Sequence, residues 1–327
     1  MNAIPDISGI HHITAVSSNA AQNLFFYTEV LGLRLVKRTV NFDDPYTYHL
    51  YYGDKKGHPG TILTFFPRED LPRGRPGAGA LTAIAFAVPA EAIYFWSERL
   101  VSSGVTVKME ERFGDRVIRF SDPDGLPLEL VGEERPPIIS NWERGPIPDA
   151  SAIRGVHSAT ATVNLFDPEA TLVADVMGMR LVDRDGGRYR YKMDDWESPG
   201  RWFDLKIDPN ARPASMGSGT VHHIAFRTED DHTQSRWQEI LRGLGYNATD
   251  VRDRNYFRSI YFRTPANILF EMATDPPGFG VDESVERLGT SLQLPKPYEG
   301  MREEIVRQLP PLCGDELPCN IENAMAA

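Results

Sequence analysis

Short stretches in which apolar and polar residues alternate recur along this chain and predict β-strands. Examples are HHITAV, YTYHLYYGD and NILFEMA, which are rich in β-branched and aromatic residues. Segments with the period of an amphipathic helix, such as residues 19–31, lie between some of these strands. Each predicted helix ends at a glycine, the residue favoured in a left-handed C-terminal cap. These glycines are Gly32, Gly104, Gly178 and Gly245.

The chain contains internal repeats that divide it into four modules. GIHHITAV at residues 9–16 resembles GVHSATAT at 155–162, and VLGLRLVKR resembles VMGMRLVDR at the same offset of 146 residues. In the same way, TAIAFAVP at 82–89 resembles HHIAFRTE at 222–229, with an offset of 140 residues. Chance similarity seldom keeps its register over such distances, so module 1 corresponds to module 3 and module 2 to module 4.

This repetition predicts an α+β fold in which four repeated βαβββ modules form two cup-shaped mixed sheets. One module leaves an open, curved sheet with an apolar face, so two modules must pair to close a cup. We expect paired modules in residues 1–132 and 154–275, joined by a proline-rich linker at 133–153. A tail at 276–327 is predicted to carry one helix, at 298–308.

Composition narrows the classes of function. The chain has 327 residues, of which 41% are hydrophobic and 25% charged, as in ordinary globular proteins. Its net charge of -11 argues against nucleic acid or an anionic membrane as a partner. It has no apolar run long enough to span a membrane and no signal-peptide pattern, so we expect a cytoplasmic protein. Cys313 and Cys319 fit no zinc or redox motif and are expected to be reduced thiols.

Two pairs of adjacent histidines stand at corresponding module starts, His11-His12 and His222-His223. Because side chains alternate along a strand, we expect the members of each pair to lie on opposite faces. Glu271 is the acidic residue of the apolar strand NILFEMA, where burial is costly unless a cation meets it. A single strand histidine is more often a hydrogen-bonded core residue than a ligand. Two such pairs with one glutamate favour a metal site of two imidazoles and a carboxylate, typical of non-haem iron(II) oxygenases.

The four-module plan resembles the vicinal oxygen chelate superfamily, which shares the glyoxalase/bleomycin-resistance/extradiol dioxygenase fold. More narrowly, the chain is similar to hydroquinone-type ring-cleaving dioxygenases, including chlorohydroquinone 1,2-dioxygenases. The resemblance rests on GIHHIT, VHHIAF, YFRSIYFRTPANILFE and the tail segment DESVERLGTSLQLP, which are spread over nearly the whole length. It implies that the iron ligands are His12, His223 and Glu271. It also implies five further catalytic or second-sphere residues, His11, Thr14, His222, Arg254 and Tyr261.

One departure separates this chain from the two-domain catechol dioxygenases, which it also resembles. In those enzymes all three ligands come from the C-terminal half. In this chain, Ser158 stands at one of these ligand positions. Serine is a poor substitute for imidazole, so His12 must supply that ligand, and modules 1 and 4 are predicted to share one cup. Modules 2 and 3 would form the other, with Ala83, Ser158 and Glu129 at the corresponding positions, and it is expected to be metal-free. His157 is predicted to be a core or hydrogen-bonding residue.

The resemblance implies an Fe(II)-dependent dioxygenase, with Mn(II) as an alternative metal, that adds O2 across a C–C bond of a hydroquinone or related diphenol. The bond would lie next to a hydroxylated carbon. His11 and His222 are candidate acids or bases, and Arg254 and Tyr261 could contact substrate oxygen or have only a structural role. A glyoxalase-like isomerase or conjugating enzyme and a non-catalytic binding protein remain alternatives. The sequence leaves open whether the chain forms a homo-oligomer.

Overall fold

The strands of the computed structural model, which describes residues 5–193 and 198–312, fall into the four predicted modules. Module 1 contains β1 Ile10–Ser17, β2 Arg34–Asn41, β3 Asp44–Gly53 and β4 Ile62–Pro67. Module 2 contains β5 Ala80–Pro89, β6 Lys108–Arg112, β7 Asp115–Ser121 and β8 Pro127–Glu133. Module 3 contains β9 Val156–Val163, β10 Arg180–Asp185, β11 Arg188–Lys192 and β12 Trp202–Ile207. Module 4 contains β13 Thr220–Thr228, β14 Arg252–Asp253, β15 Arg258–Arg263 and β16 Leu269–Thr274.

The modules pair across the two halves of the chain. One eight-stranded sheet has the order β14-β15-β16-β13-β1-β4-β3-β2 and joins module 4 to module 1. The other has the order β10-β11-β12-β9-β5-β8-β7-β6 and joins module 3 to module 2. Antiparallel ladders between β1 and β13 and between β5 and β9 form the two junctions. The predicted fold class and the predicted pairing of modules 1 and 4 are confirmed.

One helical segment follows the first strand of each module. The α-helices are α1 Ala20–Phe25, α2 Ile93–Ser102, α3 Asp167–Ala170, α4 Asp231–Gly243 and, in the tail, α5 Arg302–Gln308. π-Helical turns at Phe26–Val30 and Thr171–Val176 extend α1 and α3. All four predicted terminal glycines have positive φ, from 71° at Gly32 to 86° at Gly245, as left-handed caps require. No helix among the described residues is long and apolar enough to cross a membrane.

Both junction ladders contain paired β-bulges. The register between β1 and β13 skips His11 on one strand and His222 on the other. The register between β5 and β9 skips Thr82 and His157 in the same way. A bulge sets two residues of one strand opposite one residue of its partner and increases the local twist. The first histidine of each pair therefore departs from the regular alternation of the strand.

Aromatic side chains join the two sheets in a shared core. The ring of Phe203 on β12 lies 5.8 Å from that of Phe226 on β13 and 5.8 Å from that of Phe270 on β16. All three side chains are fully buried. This contact fixes the second sheet against the back of the strands that carry the histidine pair and the glutamate of module 4.

The chain after β16 runs back across β2. Lys37 on β2 is completely buried, and its Nζ lies 2.5 Å from Asp282 Oδ1 and 2.5 Å from Glu283 Oε2. Arg38 forms a parallel bridge with Leu292. A buried lysine needs such partners, so these contacts tie the tail to module 1. The predicted tail helix is present as a 3-10 segment at Lys296–Met301 followed by α5, whereas Cys313 and Cys319 lie outside the described residues.

Replacement of the residue that joins the sheets should destabilise the whole protein. We expect Phe203→Ala to lower the free energy of unfolding by about 3–5 kcal/mol, because the truncation leaves a cavity in a closed core. Leu165→Ala is the control, since Leu165 is 72% exposed and its truncation should cost less than about 0.5 kcal/mol. Urea denaturation followed by tryptophan fluorescence measures both, and equal losses would contradict the assigned role of Phe203.

Candidate metal centre

Three side chains from three adjacent strands converge on one buried point. His12 on β1, His223 on β13 and Glu271 on β16 place one potential ligand atom each within 4.8 Å of the others. His12 Nε2 lies 3.3 Å from His223 Nε2, and Glu271 Oε2 lies 2.9 Å from His223 Nε2 and 3.5 Å from His12 Nε2. Each of the three residues is at most 5% exposed. The chain thus gathers two nitrogens and one oxygen from positions 211 and 259 residues apart from His12 along the sequence.

The Glu271 carboxylate has the environment of a metal ligand. Its Oε2 is buried and makes no hydrogen bond, although two imidazole nitrogens are close, so the nitrogens do not point hydrogens at it. Burial, followed by the nearby Arg254 charge, lowers the pKa of His223 to about 3, and burial lowers the pKa of His12 well below its usual value. Both imidazoles are therefore neutral near pH 7 and leave the carboxylate charge without a counterion. A divalent cation fits this set of donors.

The first histidine of each pair fixes the second one. His11 Nδ1 lies 2.9 Å from His12 Nδ1, and His222 Nδ1 lies 2.8 Å from His223 Nδ1. When Nε2 of His12 and of His223 binds a metal, the ring hydrogen of each is on Nδ1, which then donates to His11 or His222. A hydrogen bond with the Thr274 backbone occupies His11 further. The expectation that the members of a pair lie on opposite faces is wrong, because the bulges turn adjacent rings toward each other.

The second carboxylate oxygen of Glu271 is held from the neighbouring strand. The Ser259 hydroxyl on β15 donates a short hydrogen bond to Glu271 Oε1. Ser259 is fully buried. This bond orients the carboxylate so that Oε2 alone faces the histidines. Ser259 was not predicted from the sequence, although a small polar residue in the apolar stretch SIYF was a usable signal.

Arg254 and Tyr261 form the polar wall beside His223. Arg254 Nε donates to the Tyr261 hydroxyl over 3.3 Å, and Arg254 also contacts Asp43 Oδ2 over 3.1 Å. The Tyr261 ring meets the His223 ring edge to face, with centroids 5.8 Å apart. Burial and then the Glu271 charge raise the pKa of Tyr261, so the phenol keeps its proton. Arg254 thus lies beside the centre and also forms an ion pair with Asp43.

Further polar residues of β3 and β4 lie near the same centre. Thr14 Oγ1 contacts Thr64 Oγ1 over 2.8 Å, Thr64 contacts His49 Nε2 over 2.8 Å, and His49 Nδ1 contacts the Tyr51 hydroxyl over 2.8 Å. Burial, and then the proximity of the His12 and His223 imidazoles, lowers the pKa of His49, so His49 lies close to both of them. Our sequence reasoning gave these β3 and β4 residues no role. The available signal was the pair His49 and Tyr51, two polar side chains that lie two residues apart in the strand YTYHLYYGD.

The second sheet carries an ion pair at the corresponding position. Ser158 and Ala83 stand in place of the two histidines, and Glu129 stands in place of Glu271. Arg112 donates to both oxygens of Glu129, over 2.6 and 3.0 Å. His157 is buried and contacts Ser158 Oγ over 3.0 Å, as a core histidine should. The guanidinium thus neutralises the buried carboxylate of this sheet.

Comparisons with known proteins show which proteins this chain is similar to. The family model of the glyoxalase/bleomycin resistance protein/dioxygenase superfamily matches residues 9–130 and 155–280. MhqO of Bacillus subtilis (strain 168), whose name gives ring-cleaving dioxygenase as its expected activity, is 46% identical over 303 residues, 93% of this chain and 96% of its own. The chlorohydroquinone/hydroquinone 1,2-dioxygenase of Sphingobium indicum is 35% identical over 317 residues, 94% of this chain and 98% of its own.

Solved structures agree on the fold. A crystal structure from Bacillus subtilis, whose title gives dioxygenase as the expected activity, superposes with a TM-score of 0.90 and 45% identity over 94% of this chain and 98% of its own. Glyoxalase I from Zea mays superposes with a TM-score of 0.62 and 14% identity over 82% of this chain and 92% of its own. The second likeness concerns the fold alone.

Divalent metal binding should depend on Glu271 and not on Glu129, which has the corresponding position in the other sheet. We expect Glu271→Gln to weaken binding of Zn(II), Mn(II) or Fe(II) by at least about 100-fold, since loss of a ligand costs more than loss of an outer-sphere contact. Glu129→Gln should leave the affinity within about twofold, because Arg112 already occupies Glu129. Calorimetric titration under anaerobic conditions measures both affinities, with thermal unfolding as a check on folding. Equal losses in the two variants would contradict the assigned centre.

Proposed function

This chain belongs to the glyoxalase/bleomycin resistance protein/dioxygenase superfamily, and on that premise we propose that it is an Fe(II)-dependent ring-cleaving dioxygenase. The proposed substrate is a hydroquinone or related diphenol, and cleavage would fall next to a hydroxylated carbon, in the extradiol manner. The buried group of His12, His223 and Glu271, with its unpaired carboxylate oxygen, is the observation that carries the proposal. The name of the Sphingobium relative supports the choice of substrate class.

The donor set suits iron(II). Two neutral imidazoles and one carboxylate on one side of an ion leave other coordination positions open, the arrangement of non-haem iron(II) oxygenases. Mn(II) accepts similar donors and is the alternative. When bound, such an ion would lower the pKa of a coordinating phenol and bring the diphenol and O2 to one centre.

Side chains behind the ligands hold the centre in place. His11 and His222 accept hydrogen bonds from Nδ1 of the ligand histidines, and Ser259 donates to Glu271. Outer-sphere contacts of this kind set ring orientation and raise ligand basicity. We assign His11 this positioning role in preference to acid or base chemistry, because it is 2% exposed and also bonds to the Thr274 backbone. His222 is more exposed and remains the better candidate for proton transfer.

Arg254 and Tyr261 are suited to bind an anionic substrate. Arg254 is a fixed cation next to the neutral His223, held by the Asp43 carboxylate on the β2–β3 turn. Tyr261 keeps its proton and can donate to a substrate oxygen. Preorganised donors in a dry site stabilise developing negative charge far more than exposed donors do.

Aromatic packing excludes water from the centre. The Phe257 ring lies 5.0 Å from the His11 ring and 4.9 Å from the His12 ring. Next to Phe257, the Tyr256 hydroxyl bonds to Asp282 of the tail, which also pairs with Lys37. The tail therefore supports the wall of the site, and the low polarity of this wall strengthens the charge interactions inside it.

Oxygen consumption tests the activity. The full chain is first loaded with Fe(II) under anaerobic conditions. On mixing with aerated hydroquinone we expect uptake of one O2 per ring opened, and with 18O2 a ring-opened product carrying two labelled atoms. Glu271→Gln should abolish uptake, whereas Glu129→Gln should retain it. Absence of uptake with hydroquinone and with catechol would overturn the proposal, and uptake with catechol alone would overturn the substrate class.

Arg254 should matter for substrate binding more than the nearby Arg252 does. We expect Arg254→Gln to lower kcat/KM for hydroquinone about 10–100-fold, because a charged donor to the substrate anion is lost. Arg252→Gln is the matched control, since Arg252 also approaches Asp43, over 3.6 Å, but is half exposed. Steady-state kinetics measure both variants, and equal effects would contradict a direct role for Arg254.

A further inference from the structure

A row of polar side chains crosses the face of the first sheet that holds the metal centre. Tyr51 on β3 lies opposite Thr64 on β4, and Thr64 lies beside Thr14 on β1. Thr14 in turn lies opposite the ligand histidine His223 on β13. Cross-strand partners point to the same face, and His49, two residues before Tyr51, shares that face. The row therefore ends at the site.

These side chains form an unbroken chain of hydrogen bonds. Its three links, from Tyr51 through His49 and Thr64 to Thr14, are each 2.8 Å long. All four residues are at most 6% exposed. The His49 ring is also fixed by Phe66, whose ring centroid lies 4.3 Å away. No water-exposed group interrupts the chain among these four residues.

Tyr51, at the buried end of this chain of hydrogen bonds, sets the direction in which each hydrogen is donated. The Tyr51 ring packs against Phe279 and Tyr256, at centroid distances of 5.2 and 6.1 Å. Within the described residues, His49 Nδ1 is the acceptor that the Tyr51 hydroxyl contacts. If Tyr51 accepted from His49 instead, its own hydrogen would be buried with no hydrogen-bond acceptor among the described residues, which is costly. Tyr51 therefore donates to His49 Nδ1.

The positions of the other hydrogens in the chain of hydrogen bonds follow from the donation by Tyr51. With Nδ1 accepting, the neutral His49 ring carries its hydrogen on Nε2 and donates it to Thr64 Oγ1. The Thr64 hydroxyl then donates to Thr14 Oγ1. The Thr14 hydrogen is the one left over, at the end of the chain next to His223 and two residues from His12.

We propose that Tyr51, His49 and Thr64 are positioning residues that turn the Thr14 hydroxyl into a fixed hydrogen-bond donor to the anionic oxygen of the bound substrate. This inference rests on the proposed function for the identity of that oxygen. The arrangement itself does not, because it follows from the contacts of the protein alone. A threonine hydroxyl without this chain could rotate and donate back to Thr64. With Tyr51, His49 and Thr64 in place, Thr64 donates its hydrogen to Thr14, so Thr14 does not donate back to Thr64.

The tautomer of His49 tests the arrangement without any turnover. Long-range 1H–15N spectra of the full chain labelled at histidine nitrogen, without added metal and with diamagnetic Zn(II), report which ring nitrogen carries the hydrogen. We expect Nε2–H at His49 in the unaltered protein and loss of this single tautomer in Tyr51→Phe. Tyr52→Phe is the matched control, since the Tyr52 hydroxyl bonds to Asn23 over 2.9 Å and takes no part in the chain. Nδ1–H at His49 in the unaltered protein would overturn the inference.

Kinetics of the Fe(II)-loaded protein test the consequence for substrate. We expect Tyr51→Phe and Thr64→Val to lower kcat for hydroquinone about tenfold, the effect of losing one donor to a charged group, while Tyr52→Phe keeps kcat. Thr64→Ser and Thr14→Ser should restore most of the rate that Thr64→Val and Thr14→Val lose, since serine keeps the hydroxyl. Equal rates in Tyr51→Phe and Tyr52→Phe would overturn the inference. A protein that has the Nε2–H tautomer but consumes no O2 would instead contradict the proposed function.

Discussion

The buried carboxylate of Glu271 is the constraint on which the organisation of this protein depends. A charged group at zero exposure needs an opposite charge close by, and no arginine or lysine of the described residues bonds to it. The ladder between β1 and β13 instead brings two neutral imidazoles to its free oxygen. Pairing of module 1 with module 4 is therefore a chemical requirement of the site as well as a way to bury apolar surface.

The sequence predicted most of this framework because the framework is repeated. Offsets of 140 and 146 residues identified the modules, and the terminal glycines all have the expected conformation. Ser158, at a position where the catechol dioxygenases that the chain resembles have a ligand, led to the prediction of which modules share a sheet. The repeats and the glycines could be predicted because they depend on local pattern, whereas the pairing of modules also needed that resemblance. The assignment of His12, His223 and Glu271 came from family resemblance, and alternation alone could not choose between adjacent histidines.

The failures of the sequence reasoning have a common physical origin in contacts between strands. Regular alternation predicted that His11 and His12 point apart, but a bulge depends on the register with β13, which the sequence of β1 does not contain. Ser259 and His49 were missed for the same reason. Their roles come from Glu271 on the next strand and from Thr64 across a turn, and a polar residue in a strand gives no sign of its partner.

The two sheets solve one electrostatic problem in two ways, and the comparison explains where chemistry is available. At Glu129 the positive charge is covalently part of the chain, because Arg112 fills the space with a guanidinium that satisfies both carboxylate oxygens. Such a pair leaves Glu129 no free oxygen to coordinate a metal. At Glu271, Ser259 satisfies one oxygen and the other is available to bind a cation. Where Ala83 and Ser158 stand in place of the histidines, Arg112 supplies the partner of the carboxylate, since a buried glutamate without either partner would destabilise its sheet.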